Sequence, residues 1–194
     1  MRSALLTGTR EVDVVEREIP PPRPNQVKIQ VEQCGLCASE VDLWLGKEPD
    51  KFPAEIGHEI AGYVETVGSD VTDLTVGDRV TAWIKGSGFA EFVLAEQQHC
   101  VPIAPGVAYP AVAEPLACVV NAVELARPAL GDDVVIVGAG YMGTLVQMVT
   151  ALKGPRSITV VDTRRDALDR AHALGATAVV QVTDNTWNEV LDLV

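Results

Sequence analysis

A predicted strand, a glycine-rich turn and a predicted helix follow one another in residues 133–149, and this stretch constrains the fold most. The apolar, mostly β-branched residues 134–137 predict a buried strand. Gly138 permits a tight turn, Gly140 lets the backbone approach a pyrophosphate, and Gly143 lets the helix pack closely on the strand. The stretch therefore predicts a dinucleotide-binding unit in a doubly wound α/β domain.

An acidic residue follows at the position that this nucleotide-binding motif requires. The next predicted strand, residues 157–161, ends at Asp162, which lies 19 residues after Gly143. A carboxylate there accepts a hydrogen bond from the ribose 2′-hydroxyl and repels a 2′-phosphate, which favours NAD over NADP. Arg164 and Arg165 weaken that preference. The predicted cofactor-binding residues are Gly138, Gly140, Tyr141, Met142, Gly143 and Asp162.

Composition excludes several classes of protein. The chain has 194 residues, 47% of them hydrophobic, and a net charge of −12, which argues against nucleic acid and anionic membranes as partners. It shows no signal peptide and no apolar run long enough to cross a bilayer. The chain has four cysteines, but it is too large and too rich in hydrophobic residues to be a small fold held together by disulfides. We expect a cytoplasmic protein in which one or more cysteines bind metal.

The first half of the chain has a different pattern from the second. Short alternating segments separated by glycine and proline predict a compact, barrel-like β domain. The pattern changes near residue 111, where residues 111–126 predict a helix and alternating strands and helices follow. We place the domain boundary in that helix, which gives a β-rich domain at 1–125 and a nucleotide-binding domain at 126–194.

Three separated stretches contain residues that zinc prefers as ligands. They are residues 34–37 (Cys-Gly-Leu-Cys), 57–59 (Gly-His-Glu) and 114–118 (Glu-Pro-Leu-Ala-Cys). Zinc binds Cys, His and carboxylate side chains, and a catalytic site keeps one position open. Each stretch alone has an ordinary explanation, such as a redox-active cysteine pair or a core cysteine. The three together favour a zinc site.

These motifs resemble the zinc-dependent medium-chain alcohol and polyol dehydrogenases, in particular the sorbitol and threonine dehydrogenase branch. The matching segments are C-G-L-C-A-S-E at 34–40, F-P-A-E-I-G-H-E at 52–59, V-G-D-R-V at 76–80, E-P-L-A-C at 114–118 and G-A-G-Y-M-G at 138–143. The resemblance implies a GroES-like catalytic domain followed by a Rossmann domain with one catalytic zinc. By position it implies the metal ligands Cys37, His58, Glu59 and Glu114, with Cys118 where other branches place a cysteine.

The third ligand stays open at this point. Cys37 as thiolate plus one further anion makes Zn²⁺ formally neutral, and a second further anion would weaken its Lewis acidity. We therefore expect Cys37, His58 and one of Glu59, Glu114 or Cys118 at any moment, and prefer exchange between the two glutamates.

The resemblance also gives Ser39 a role beside Cys37 and His58 in catalysis. In the family a serine or threonine there bonds the substrate oxygen and begins a proton relay, although a serine at this place could instead cap the next helix. Glu40 stands where the family has aspartate, and Asp42 where many members have a relay histidine. A short turn replaces the four-cysteine loop expected between Trp83 and Phe89, so we expect no structural zinc.

The second domain contains only three predicted strands. In the doubly wound order 3-2-1-4-5-6, strand 134–137 would normally have a fourth strand beside it. We therefore expect a partial Rossmann domain with an exposed apolar strand, in a fragment of a longer enzyme or in a truncated product. A full-length form is expected to be a homo-oligomer.

Three functions fit these observations, and the first is favoured. It is a zinc-dependent oxidoreductase that transfers hydride between NAD and a secondary alcohol, polyol or sugar-type substrate, or the corresponding carbonyl compound. The second is a truncated, non-enzymatic NAD-binding or scaffolding protein with a vestigial site. The third is a zinc-free enone or quinone reductase on the same fold, which has no need of Cys37, His58 and Glu59.

Overall fold

The computed structural model describes residues 1–107, 112–184 and 186–193. The chain divides into two units, Met1–Glu114 and Pro115–Val194. The division falls at the start of helix Glu114–Ala126, whereas the sequence placed the boundary near residue 125, in the last turn of that helix. The boundary near residue 125 stays a prediction. The start predicted for this helix, residue 111, lies outside the described residues.

The first unit is rich in antiparallel strands, as the alternating pattern predicted. Its elements are β1 Arg2–Gly8, β2 Glu11–Glu16, β3 Gln26–Gly35, α1 Ala38–Trp44, β4 Ala54–Glu55, β5 Glu59–Val67, β6 Arg79–Trp83, β7 Phe92–Glu96 and β8 Cys100–Pro102, with short 3-10 turns at Pro49–Lys51 and Gln97–His99. One sheet has the order β7-β3-β5-β6-β8 and a smaller one the order β2-β1-β4.

The five-stranded sheet encloses an apolar core. Val27 and Ile29 of β3 and Ile60 of β5 are fully buried, because alternate side chains of these strands point to the same face. Strand β5 is hydrogen-bonded on both edges, to β3 and to β6. Cys37 follows β3, His58 precedes β5 and Glu59 is the first residue of β5, so these candidate ligands lie next to the rigid centre of the sheet.

The second unit alternates helices and parallel strands. Its elements are α2 Glu114–Ala126 (whose first residue the division leaves in the first unit), β9 Asp133–Val137, α3 Tyr141–Ala151, β10 Ser157–Asp162, α4 Arg165–Ala173, β11 Ala178–Gln181 and α5 Thr186–Leu191. The parallel sheet has the order β11-β10-β9, with Val160 opposite Ile136. Apolar residues of β9, β10 and α4 form its core. The predicted α/β class, with a β-rich first part and a partial parallel sheet after it, is confirmed.

Strand β9 has a neighbour on one edge only among the residues described, namely β10. A groove of about 960 Å³ runs along the strand within the second unit, between α2 and α3. Val137 and Tyr141, which line it, are more than half exposed. The exposed apolar strand expected from the sequence is therefore present in this part of the chain. None of the described helices is long and apolar enough to span a membrane.

Candidate functional site

Three of the four predicted metal ligands lie together in the first unit. One donor atom from each of Cys37, His58 and Glu59 lies within 4.8 Å of the other two. Among the described residues, this is a group of side chains that could bind a metal ion. Cys37 is the N-cap of α1, and β5 begins at Glu59, directly after His58. Neighbouring residues on a regular strand point to opposite faces, so this break at the strand start lets His58 and Glu59 share one target.

A buried carboxylate, Glu40, links the segments that contain these side chains. Glu40 is 6% exposed. Its Oε2 accepts a hydrogen bond from the Cys37 amide at 2.7 Å, and its Oε1 accepts one from the Gly57 amide at 3.0 Å. The same Oε1 lies 2.7 Å from Nδ1 of His58. A carboxylate in contact with Nδ1 requires the proton on that nitrogen, which leaves Nε2 of His58 with its lone pair free to bind a metal.

Glu59 occupies a place that depends on a glycine. A Cβ atom added to Gly35 would lie 2.1 Å from Oε2 of Glu59, so a side chain there would push this carboxylate out of its present position. Burial raises the pKa of Glu59, and the negative charges of Glu114 and Glu40 raise it further, against opposing contributions from His58 and Cys37. A cation at this cluster would offset the repulsion between the carboxylates.

The other candidate ligands are placed differently. Glu114 is not one of the three clustered residues, although its charge reaches Glu59. Cys118 is exposed and belongs to the second unit. Burial, followed by the charge of Glu40, raises the pKa of Cys34 to about 12, so this thiol stays protonated at neutral pH. Ser39 is exposed in the first turn of α1, where Cys37 and not Ser39 is the N-cap.

The glycine turn of the second unit has the geometry that the motif predicts. Gly138 has φ +101°, a conformation that residues with a side chain rarely adopt. A Cβ on Gly143 would lie 1.8 Å from the carbonyl oxygen of Gly138, whereas one on Gly140 would meet nothing within 4 Å. Tyr141 and Met142 begin α3 and are exposed. The first amides of a helix lack intrahelical acceptors, so this turn can bind a phosphate.

Asp162 holds the same turn in place. Its Oδ2 accepts a hydrogen bond from the Ala139 amide at 2.6 Å, and its Oδ1 accepts one from the Arg164 amide at 2.8 Å. These two amides lower the pKa of Asp162. The Arg164 side chain is 55% exposed, with Nε 3.6 Å from Oδ1 of Asp162. Asp162 therefore holds the backbone of the glycine turn, a role that the sequence spacing did not reveal.

The hydrogen bonds that Glu40 accepts from the amides of Cys37 and Gly57 were not predicted from the sequence either. The spacing of Cys37 and Glu40 carries part of the signal, because an acid three residues after an N-cap is the arrangement of a capping box. The bond to the Gly57 amide has no such local signal, since 17 residues separate the two groups.

Comparison with known proteins agrees with this architecture. Residues 23–106 match the alcohol dehydrogenase GroES-like domain family. The chain is 32% identical to a sorbitol dehydrogenase of Halalkalibacterium halodurans over 76% of this chain and 52% of that protein. The structure of galactitol-1-phosphate dehydrogenase from Escherichia coli superposes with a TM-score of 0.85 at 25% identity, covering all of this chain and 65% of that one.

A further solved structure gives information about the nucleotide. A putative zinc-binding dehydrogenase from Sinorhizobium meliloti 1021, bound to NADP, has a TM-score of 0.82 at 27% identity and covers 93% of this chain and 61% of that one. The chain spans 65% or less of the length of the curated relatives compared with it. Residues 23–106 therefore match the alcohol dehydrogenase GroES-like domain family, and the chain is similar along both units to alcohol and polyol dehydrogenases.

Proposed function

We propose that this chain contains the metal centre and the adenosine-binding half of a zinc-dependent oxidoreductase. The reaction is hydride transfer between a nicotinamide nucleotide and a secondary alcohol, polyol or sugar-type substrate, or the corresponding carbonyl compound. The observation that carries the proposal is the cluster of Cys37, His58 and Glu59 in a chain that also has the nucleotide-binding glycine turn. The polyol class is supported by the sorbitol and galactitol 1-phosphate dehydrogenases among its relatives.

The clustered residues fit one zinc ion. Zinc bonds of about 2.0–2.3 Å bring the donor atoms of one site to within about 4 Å of one another, so a cluster already within 4.8 Å needs a contraction of under about 1 Å. Cys37 as thiolate and one glutamate balance the two positive charges. We propose Cys37 and His58 as constant ligands, with Glu59 and Glu114 exchanging at the third position. A structural zinc is not part of the proposal.

Ser39 is proposed to accept the proton of the substrate hydroxyl group and to pass it to water. When bound, zinc supplies the Lewis acidity that lowers the pKa of an alcohol oxygen, and the nicotinamide ring supplies the hydride acceptor. Ser39 lies two residues after Cys37, and its exposed hydroxyl can accept the alcohol proton and pass it to water. Glu40 holds the Nδ1 proton of His58, and this leaves Nε2 available as a ligand.

NAD is the proposed cofactor. Asp162 ends β10 beside the glycine turn, and its lowered pKa keeps it negatively charged at neutral pH, which disfavours a 2′-phosphate. Exposed Arg164 and the NADP bound in one relative support the opposite preference. Asp162→Ala should therefore narrow the difference in affinity between NAD and NADP, measured by calorimetry. Tighter binding of NADP than of NAD by the unmodified protein would overturn the NAD assignment.

We propose the cytoplasm as the location of this enzyme, because a zinc-bound thiolate suits a reducing environment. A homo-oligomer is proposed for a form with the length of the relatives. No nucleic acid or membrane partner is proposed for so acidic a chain.

The decisive experiment combines metal analysis with a turnover assay of the purified protein. We expect about one zinc per chain, and NAD-linked oxidation of a polyol in a form as long as the relatives. Absence of zinc after reconstitution would contradict the metal site, and two zinc ions per chain would contradict a single catalytic ion. Zinc and NAD bound without any turnover in the longer form would favour the non-enzymatic alternative.

A further inference from the structure

The hydroxyl group of Thr81 contacts the residues next to both candidate glutamate ligands. It donates a hydrogen bond to the carbonyl oxygen of Ile60 at 3.0 Å and accepts one from the amide of Ala113 at 3.1 Å. Ile60 directly follows Glu59, and Ala113 directly precedes Glu114. Thr81 is 5% exposed, so one buried hydroxyl joins the two backbone segments that contain these carboxylates.

The strand that contains Thr81 is well fixed in the first unit. Strand β6 pairs with β5 on one edge and with β8 on the other, and Thr81 lies opposite Ala61 and Val101. Its neighbours in the strand, Val80 and Ala82, are buried. Threonine is branched at Cβ, which restricts the rotation of its side chain. The sheet therefore sets the position of the hydroxyl group.

The segment before α2 has less support of its own. Val112 and Ala113 lead into the helix that begins at Glu114. Among the described residues, no backbone hydrogen bond joins Val112 or Ala113 to a strand of the sheet. The hydrogen bond that Ala113 donates to the Thr81 hydroxyl makes this connection instead. The Thr81 side chain therefore limits how far the start of α2 can lie from β5.

We propose that Thr81 is a positioning residue that holds Glu114 within reach of the metal cluster. Glu114 lies outside the cluster formed by Cys37, His58 and Glu59, so it must approach the ion in order to replace Glu59. The negative charge of Glu114 acts on Glu59, and the two carboxylates repel each other when no cation lies between them. The link through Thr81 opposes this separation. All of these residues belong to the first unit, and the inference rests on the glutamate exchange in the proposed function.

Valine and serine separate the hydroxyl group from the shape of the side chain. Thr81→Val keeps nearly the same shape and removes both hydrogen bonds, whereas Thr81→Ser keeps a hydroxyl that can donate and accept. Thr159→Val is the matched control. Thr159 is fully buried on β10, and its hydroxyl has no hydrogen-bond partner among the described residues, so the substitution removes a buried hydroxyl without removing a link.

The first measurement needs no metal. Amide hydrogen exchange of the metal-free protein reports on the hydrogen bond from Ala113. We expect the Ala113 amide to exchange about tenfold faster in Thr81→Val, which is the effect of losing one hydrogen bond. In Thr81→Ser and Thr159→Val it should exchange at the rate of the unmodified protein. An unchanged Ala113 rate in Thr81→Val would overturn the inference.

The second measurement is zinc affinity, by competition with a chromophoric chelator, together with the visible spectrum of the Co²⁺-substituted protein. We expect Thr81→Val to bind zinc about 3- to 10-fold more weakly and to have an altered Co²⁺ spectrum. Thr81→Ser should restore both, and Thr159→Val should change neither. A change in unfolding temperature without a change in zinc affinity or spectrum would mean that Thr81 is only structural, and it would overturn the inference.

A double substitution shows whether Thr81 acts through Glu114. Glu114→Gln removes the carboxylate that Thr81 is proposed to position. Adding Thr81→Val to Glu114→Gln should therefore weaken zinc binding by less than about twofold more. If Thr81→Val weakens binding by the same factor with and without the Glu114 carboxylate, Thr81 acts through another group and the inference is wrong.

The outcomes separate the inference from the proposed function. If the unmodified protein binds zinc and Thr81→Val binds it equally well, the inference fails and the proposed metal site stands. If the unmodified protein binds no zinc after reconstitution, the proposed metal site fails and the inference fails with it, whatever the exchange rate of Ala113. If Thr81→Val does not fold, Thr81→Ala, which also lacks the hydroxyl, replaces it in each measurement.

Discussion

The two units of this chain differ in how completely their central strands are paired. In the first, β5 is hydrogen-bonded to a neighbour on each edge, and Ile60 is fully buried. In the second, β9 has one neighbour among the described residues, and Val137 is 68% exposed. Each strand leads directly into or out of a candidate site. The candidate metal cluster therefore lies beside a strand that is paired on both edges, whereas the glycine turn follows a strand that is paired on one edge among the described residues.

This difference changes what a mutation should do in each unit. Around the candidate metal cluster, a substitution should alter metal binding more than folding, because the strand that leads from the cluster is paired on both edges. Around the glycine turn, folding and binding should change together, since the turn is itself part of the packing between β9 and α3. The variants below test this contrast, from the largest expected effect to the smallest.

Loss of the proposed thiolate ligand, Cys37, should have the largest effect, which is the loss of bound zinc. Cys37→Ser should abolish zinc binding, because a serine hydroxyl is not deprotonated at neutral pH and is a poor zinc ligand. Cys34→Ser is the matched control, since the buried Cys34 thiol has a pKa of about 12 and lies outside the cluster. Elemental analysis of both folded variants measures the result. Zinc retained by Cys37→Ser, or lost from Cys34→Ser, would mean that the ligand has been misassigned.

A methyl group at Gly143, the third glycine of the motif, should destabilise the second unit. In Gly143→Ala the new Cβ would meet the carbonyl oxygen of Gly138 at 1.8 Å, and backbone cannot move aside cheaply. We expect about 3 kcal/mol less stability in that unit. Gly140→Ala has open space around its Cβ, so it should fold normally while blocking the close approach of a pyrophosphate. Urea unfolding and nucleotide titration distinguish the two, and equal stability of both variants would contradict the packing argument.

The open edge of β9 should make the isolated chain self-associate. A lysine in place of Val137 puts charge on this strand and should weaken association at least about tenfold, or about 1.4 kcal/mol. Val101→Lys is the control, because Val101 is similarly exposed on the three-residue edge strand β8 of the first unit. Analytical ultracentrifugation gives both association constants. A monomeric unmodified chain with ordinary turnover, on the order of 1 s⁻¹, would refute the importance of this edge.

Local patterns predicted the fold class and the secondary structure, and long-range hydrogen bonds account for what they missed. The run from Asp133 to Gly143 predicted strand, turn and helix, because each step depends on residues a few positions apart. Asp162 accepts a hydrogen bond from the amide of Ala139, 23 residues away. Glu40 accepts one from the amide of Gly57, 17 residues away. Spacing along the chain can suggest that an acid is functional, but it cannot say which amides the acid will meet.

Asp162 should show the smallest effect, and this effect should depend on pH. Its folded pKa is lowered by the amides of Ala139 and Arg164, so the ionised form stabilises the folded state. For a carboxyl group with a lowered folded pKa, this stabilisation is present above the ordinary value of 3.8 and is lost as the pH falls through the folded value. Asp162→Asn should therefore cost about 1 kcal/mol at pH 7, and less as the pH falls below 3.8.

Urea unfolding of the unmodified protein and Asp162→Asn across this pH range measures the difference directly. Because other carboxyl groups titrate in both proteins, only the difference between them reports on Asp162. Asp169→Asn is the matched control, since Asp169 pairs with Arg165 on the exposed face of α4 and should change stability by under about 0.5 kcal/mol. A difference for Asp162→Asn that stays constant down to pH 2 would show that the hydrogen bonds to Ala139 and Arg164 do not depend on charge. The glycine turn would then be stabilised by these hydrogen bonds to the same extent whether or not Asp162 is ionised.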